Sequence, residues 1–281
     1  MRDRPPRMPG LAFGARLGGG PTCDVYSAFD TSGRPGWAVK ILREDAAADP
    51  TNIQLLRQEG RVGMAVRHTN LVRVLRLGPD EDWPQYIVME RVPGCSVRRV
   101  LNVRNWLSAS LAALITRQTA SALAALHAAG YVHGDVKPDN LQLHSDRMCT
   151  LLDLGFAHRA DSESIVNGYV LGTANYVAPE LCEQPERDMA AADIFSLGVS
   201  LFELLTGVLP YPTGNVEETM LQHRDHRPES LGGWQGAWSR GLSELVDRML
   251  SRDPTRRPTA VTVIRELTDL ERRLGRKSSA A

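Results

Sequence analysis

The sequence predicts an α+β fold of two unequal lobes, a small antiparallel β-sheet carrying one helix, then a larger and mainly helical lobe. Residues before about 93 come as short alternating runs bounded by glycine, proline and acidic turns, the pattern of strands joined by hairpins. Residues after Gly94 instead place apolar side chains at helical steps in alanine- and leucine-rich stretches. With 281 residues and 42% hydrophobic content, the chain can bury one large core or two moderate ones.

Residues 1–10, MRDRPPRMPG, are too rich in proline and arginine to pack and read as a mobile arm. No apolar stretch stands behind their charges, so they are expected to be neither a secretion signal nor a membrane start. Residues 11–30 alternate on both sides of Gly18, Gly19 and Gly20, a strand, tight turn and strand whose glycines let backbone N–H groups approach an anion. Residues 37–42, WAVKIL, form an apolar strand with Lys40 inside it. A buried ammonium is costly unless it meets a carboxylate or a bound anion, so Lys40 needs a partner.

Residues 50–66 follow a proline and a threonine with Ile53, Leu56, Val62 and Val66 at helical spacing. Gly60 and Gly63 weaken that helix by about 1 kcal/mol each relative to alanine, which predicts a mobile element. Residues 71–77 and 86–92 are further strands around the turn GPDEDWP, and the lobe boundary falls near 93. Residues 108–129 form a long packing helix that stops at Gly130. Residues 190–209 are apolar on nearly all sides and belong in the middle of the large lobe; Glu203 and the preceding Asp193 argue against a membrane span. Amphipathic helices fill 215–270, with Trp234 and Trp238 between them, and 271–281 are expected to fray.

Lys plus Arg and Asp plus Glu both number 33, so no global field favours nucleic acid, an anionic membrane or an acidic substrate. Cys23, Cys95, Cys149 and Cys182 are dispersed without metal-like spacing, which predicts a reducing, cytoplasmic setting.

Chemistry concentrates in HGDVKPDN (133–140) and LLDLGF (151–156). The first supplies Asp135, Lys137 and Asn140 around a stiff Pro138; the second delivers Asp153 from an apolar strand end onto a glycine turn. Phosphoryl transfer needs such a set: a carboxylate for the acceptor's proton, metal ligands and a cation near the transferred group.

With these motifs in order, the chain resembles the eukaryotic-type (Hanks) serine/threonine protein kinases; its alanine- and arginine-rich texture points to a bacterial source. The resemblance implies a catalytic domain over 11–270, with lobes meeting near 93, flanked by an arm and a C-terminal tail. It makes Asp135 the base, places Lys137 on the γ-phosphate of ATP, and gives Asn140 and Asp153 to Mg²⁺, replaceable by Mn²⁺. It sets Lys40 on the α- and β-phosphates, paired with Glu59 of the N-lobe helix. Leu17, Gly18, Gly19, Gly20, Val25, Ala38 and Leu143 would surround the nucleotide, Met89 would be the gatekeeper, and Glu90 and Val92 would offer backbone groups to adenine.

The stretch GTANYVAPE resembles the end of an activation segment, with Thr173 beside Asp135 and Lys137, and Glu180 expected to pair with the distant Arg257. Asp193 is expected to cap the catalytic-loop backbone. Protein substrates are the implied partners, the chain itself included; oligomeric state is not legible.

Departures from the family pattern are specific. Cys23 stands where the third glycine of G-x-G-x-x-G-x-V would be, which puts a thiol beside the phosphate channel and predicts loss of activity on alkylation. Gly134 replaces the arginine that would gather a phosphorylated activation-segment residue, so activity is expected not to need phosphorylation through that pocket. Leu154 replaces phenylalanine, an apolar exchange. Two rivals follow: a small-molecule phosphotransferase of the aminoglycoside-kinase type, disfavoured by Lys137 and the Ala178–Glu180 stretch, and a pseudokinase, disfavoured because Lys40, Glu59, Asp135, Asn140 and Asp153 all remain.

Overall fold

The computed structural model describes residues 8, 10–30, 32–79, 84–160, 174–183, 189–211, 214, 216–225, 228–234, 236 and 238–278. Strands β1 (Ala12–Gly19), β2 (Cys23–Phe29), β3 (Pro35–Leu42), β4 (Val74–Leu77) and β5 (Tyr86–Glu90) form a five-stranded sheet in the order β1-β2-β3-β5-β4, with antiparallel neighbours. Helix α1 (Pro50–Ala65) lies on one face. It starts where the sequence signals it, with Asp49 accepting from the Thr51 N–H and Pro50 in the first turn, where its missing donor costs nothing.

Gly60 and Gly63 have a packing reason. A Cβ at Gly63 would stand within 2.9 Å of the Val74 Cβ, and one at Gly60 within 3.1 Å of an Ile87 methyl. The glycines therefore act as a notch that lets α1 lie close on β4 and β5, at the expense of intrinsic helix propensity.

Below the sheet come β6 (Cys95–Ser96) and α2 (Val97–Arg104), then the long α3 (Ala109–Ala128), capped by Ser108, whose hydroxyl accepts from the Leu111 N–H. Strands β7 (Tyr131–Val132), β8 (Leu141–Leu143), β9 (Cys149–Leu151) and β10 (His158–Arg159) frame the loops that follow α3. Helices α4 (Pro179–Glu183), α5 (Met189–Thr206), α6 (Val216–Asp225), α7 (Arg240–Met249) and α8 (Ala260–Ser278) complete the larger lobe.

Helix α5 is buried along most of its length, with Phe195 and Phe202 fully enclosed, as its all-round apolar sequence requires. It is long and apolar enough to cross a membrane, yet 72% of it is buried inside the protein and its acids are engaged there. A continuous core joins Val62, Leu71 and Leu154 to Leu123, Leu151, Phe195 and Leu267. Both lobes are thus keyed to β9: Val72 N–H donates to the Leu151 carbonyl at 2.9 Å and Leu151 N–H to the Asn70 carbonyl at 2.8 Å.

Two boundaries differ from the sequence expectation. Met8, assigned to the arm, is buried with Tyr26, Val39 and Val88 on the outer face of the sheet. At the other end, α8 continues past 270 to Ser278, and Glu271 pairs with Arg117 of α3 at 3.0 Å. A tail of small and charged residues still propagates a helix when its first turns are anchored by the buried Val263 and Leu267.

Candidate active site

Lys40 leaves the middle of β3 and reaches Glu59 of α1 at 2.7 Å and Asp153 at 2.8 Å. One ammonium thereby serves two carboxylates from different lobes. Burial works against the charge on Lys40, but Asp153 and Glu59 outweigh it and hold the ammonium above its ordinary range. The acids share that benefit unequally. Burial pushes Glu59 up to about 7 against the pull of Lys40, because its side chain is only 4% exposed. Burial also opposes ionisation of Asp153, yet the Lys40 charge and its hydrogen bond hold that carboxyl down to about 2. Asp153 sits at φ 60, a conformation uncommon for a residue with a Cβ, and its Oδ1 accepts the Gly155 N–H at 3.3 Å.

The loop from His133 to Asn140 is fixed from beneath. Asp193, in the first turns of α5, accepts the N–H groups of His133 and Gly134, each at 2.9 Å, and the His127 ring nitrogen at 2.8 Å. The expected capping role of Asp193 is therefore observed. Gly134 has φ +78, and a Cβ there would stand 3.0 Å from the Phe156 carbonyl oxygen, so this backbone suits glycine. His133 accepts the Asp135 N–H on Nδ1, which leaves Nε2–H to donate to the Leu152 carbonyl at 3.1 Å. Leu152 N–H in turn donates to the Asn140 carbonyl at 2.8 Å. These bonds clasp the residue before Asp153 to both ends of the loop, and so bring the two predicted motifs together.

Within the loop, Asp135 Oδ2 accepts from Lys137 Nζ at 2.7 Å and from Asn140 Nδ2 at 2.8 Å. Asn140 donates from its nitrogen to Asp135, which leaves Oδ1 as the atom it could offer a cation, and Asp153 could add a carboxylate. Hard oxygen donors of this kind fit a divalent cation of the magnesium class, which protein sites bind through one or two such groups together with substrate phosphates.

The cleft roof is the β1–β2 hairpin. Among the described residues nothing stands within 4 Å of a hypothetical Cβ at Gly18 or Gly20, while one at Gly19 would meet the Arg16 and Asp24 side chains, which form an ion pair across the turn. Leu17 is half exposed, Val25 pairs with Lys40, and Ala38 pairs with Met89. Glu90 N–H is taken by the Arg73 carbonyl at 2.9 Å, so its carbonyl is the group it could offer to a base. Leu143 closes β8 below, against Cys95; Val92, just past β5, is partly buried against the large core.

Cys23 departs from its expected surroundings. It is buried with Leu42, Leu56, Val74 and Ile87, and desolvation, only partly offset by Lys40, pushes its thiol up to about 11. Such a thiol is a packing group and a poor nucleophile. Leu154 is fully buried near Gly63, as an apolar exchange allows. Thr173 and Gly172 lie outside the described residues. Glu180 lies in the first turn of α4, just past the end of the extended segment, and Arg257 meets it in a bidentate pair at 2.5 and 2.7 Å.

Sequence reading missed one cluster. Arg98 of α2 binds Glu203 at 2.6 Å, Tyr176 Oη at 2.5 Å and Asp139 at 3.1 Å. The only signal for it was Glu203 itself, an acid in an otherwise apolar helix, which demanded a cation.

Comparison with known proteins gives the family of the chain. The profile of the protein kinase domain family matches residues 11–267. The chain is 32% identical over 244 residues to the serine/threonine-protein kinase PrkC of Bacillus subtilis, covering 86% of this chain and 37% of that protein. It is 33% identical over 260 residues to the serine/threonine-protein kinase PkaA of Streptomyces coelicolor, covering 89% and 46%. With the serine/threonine-protein kinase PknB of Mycobacterium leprae the identity is 32% over 250 residues, covering 87% and 40%. The chain thus spans less than half the length of these relatives.

Proposed function

The chain belongs to the protein kinase domain family, and from that premise we propose that it transfers the γ-phosphoryl group of Mg-ATP to Ser or Thr hydroxyls of proteins, itself included. The observation that carries this reading is the meeting of Lys40, Glu59 and Asp153 across the lobes, 2.7 and 2.8 Å from one ammonium. In this reading Lys40 exchanges Asp153 for the phosphates, and Asp153 is left to the metal that accompanies them.

In this reading Lys40 holds the α- and β-phosphates and Glu59 holds Lys40. Asn140 and Asp153 hold the metal, which supplies charge neutralisation at the phosphates when bound. Asp135, oriented by Lys137 and Asn140, takes the proton of the acceptor hydroxyl. The hydroxyl oxygen bonds to the γ-phosphorus as the bond to the β–γ bridging oxygen breaks, and ADP departs with that electron pair. Lys137 stands beside Asp135 to meet the negative charge of the moving group. Adenine would lie between Ala38, Val25 and Leu143, reading backbone groups at Glu90 and Val92 beside Met89. Free thiols at Cys23, Cys95 and Cys149 support a reducing, cytoplasmic location for the catalytic unit.

The test is incubation with γ-labelled ATP and magnesium, followed by phosphosite mapping. Label on Ser or Thr with the wild type and none with Asp135→Ala is the expected result. Label on an aminoglycoside in preference to peptide, or equal labelling by Asp135→Ala, contradicts it.

A further inference from the structure

Helix α2 begins just past the inter-lobe connection, and Arg98 in its first turn bridges the 138–140 turn, the 174–176 turn and α5. Its Nε donates to Asp139 Oδ2 at 3.1 Å, Nη1 to Glu203 Oε1 at 2.6 Å, and Nη2 to Glu203 Oε2 at 3.1 Å and to Tyr176 Oη at 2.5 Å. Tyr176 closes the ring by donating to Glu203 Oε2 at 2.5 Å. Asp139 sits between Lys137 and Asn140 in the loop that carries Asp135. Tyr176 ends the Ala174–Tyr176 turn, and its carbonyl accepts the Ser196 hydroxyl of α5 at 2.7 Å.

The planar fork reaches Asp139, Glu203 and Tyr176 from three separate nitrogens; a lysine has a single nitrogen and cannot make the two-point pair with Glu203 while also spanning to Asp139. Burial acts against the Arg98 charge, but Glu203, Tyr176 and Asp139 more than offset it, so the guanidinium stays protonated throughout the working range. A polar cavity of about 290 Å³, bounded by Arg98, Leu101, Asn102, Asn105, Glu203 and Gly207, opens onto this ion pair. The guanidinium is therefore reachable from solvent, with 27% of the side chain exposed.

We propose that Arg98 is a positioning residue for the protein substrate: its fork fixes the Tyr176 turn against the Asp135–Asn140 loop and so sets the acceptor hydroxyl in reach of the base. This rests on the kinase reading. Arg98 bonds Asp139, Glu203 and Tyr176, none of which this reading gives to the nucleotide. Loss of the fork therefore misplaces the acceptor while leaving ATP binding alone, and a misplacement of that kind costs on the order of 10²-fold in rate.

Steady-state kinetics on the full chain test it with R98A and R98K, measured against protein substrate and ATP separately. R98A is expected to lose on the order of 10²-fold in kcat/KM for protein with the KM for ATP unchanged; stranding the buried Glu203 also lowers the unfolding temperature, so the split between the two substrates, and not stability, carries the test. R98K should not recover it. Guanidinium added at millimolar concentration should enter the vacated position through the cavity and restore R98A, and tetramethylammonium should not. Equal losses toward ATP and protein with no rescue by guanidinium would mark a structural role and overturn the proposal; so would unchanged kinetics.

Hydrogen exchange at 174–178 needs no turnover and separates the two readings. Exchange should be faster in R98A than in wild type and slow again with guanidinium. Identical exchange overturns the tie whatever the activity. A wild type that transfers no phosphate but shows the exchange difference overturns the kinase reading and leaves the tie standing.

Discussion

Two buried cations, Lys40 and Arg257, make the most instructive comparison in the molecule. Each meets a carboxylate brought from far along the chain, Lys40 as its apolar strand demanded and Arg257 as the resemblance implied. Their valences differ. Arg257 is saturated: Nη1 serves Glu180 and the Ala191 carbonyl, Nη2 serves Glu180 and the Arg252 carbonyl, and Nε serves the Ser251 carbonyl. Its side chain is fully buried and lies 4.9 Å over the Phe195 ring.

Lys40 is shared instead between two acids, one of them 41% exposed and held in an uncommon backbone conformation. A closed set of partners builds architecture. An open, charge-imbalanced set can exchange a carboxylate for phosphate, and that is where chemistry is expected.

Breaking each cation should therefore damage different properties. Lys40→Met is expected to lower phosphoryl transfer by on the order of 10²–10³-fold, with thermal unfolding little changed; an undiminished rate would remove Lys40 from the reaction. Arg257→Ala should do the reverse. It strands Glu180 without its partner, at about 3–5 kcal/mol of stability, while the molecules that remain folded bind ATP as before. Unchanged unfolding would reject the structural assignment.

A third variant probes how Glu59 is delivered to Lys40. Gly63→Ala should improve helix propensity by about 1 kcal/mol, yet overpacking against Val74 should cost about 1–3 kcal/mol. A net loss in unfolding free energy is expected, and stabilisation would show that the notch is not needed.

Acid titration sharpens the contrast, because burial and charge move the two carboxylates on Lys40 in opposite directions. The folded pKa of Glu59 is raised, so between its ordinary range near 4.5 and about 7 the folded chain holds a proton that the unfolded chain releases. This group thus favours the fold at low pH, and its contribution is lost as pH rises toward 7. Asp153 has the opposite sign, with stability lost as pH falls from 3.8 toward 2. Activity should fall below about 7 as Glu59 takes its proton and releases Lys40. Glu59→Gln should be weakly active without that limb, and an identical profile in both proteins would contradict the assignment. The smallest expected effect is at Cys23: its buried thiol should resist alkylation under native conditions, leaving activity unchanged, and rapid labelling with loss of activity would restore the exposed-thiol expectation.

These contrasts also mark what the sequence could disclose. Asp135, Asn140 and Asp153 were legible because polar residues in fixed spacing beside an apolar strand end have few other uses. Glu180 and Arg257 were legible through the resemblance. The inward direction of Cys23 was not, since a glycine-loop position can face either side until its strand partner is known, here Leu42. The purpose of Gly60 and Gly63 was hidden because propensity speaks only of the helix and the reason lies in the sheet. Arg98 was hidden for a similar reason: VRRV is an ordinary exposed turn until Glu203, far along the chain, arrives opposite it.

The central claim is that residues from 40 to 153 form one nucleotide–metal site, and calorimetry of ATP binding with and without magnesium tests it most directly. Magnesium should tighten ATP binding to the wild type and lose that effect in Asp153→Asn. Equal dependence on magnesium in the two proteins would place the metal, and the phosphates with it, somewhere else.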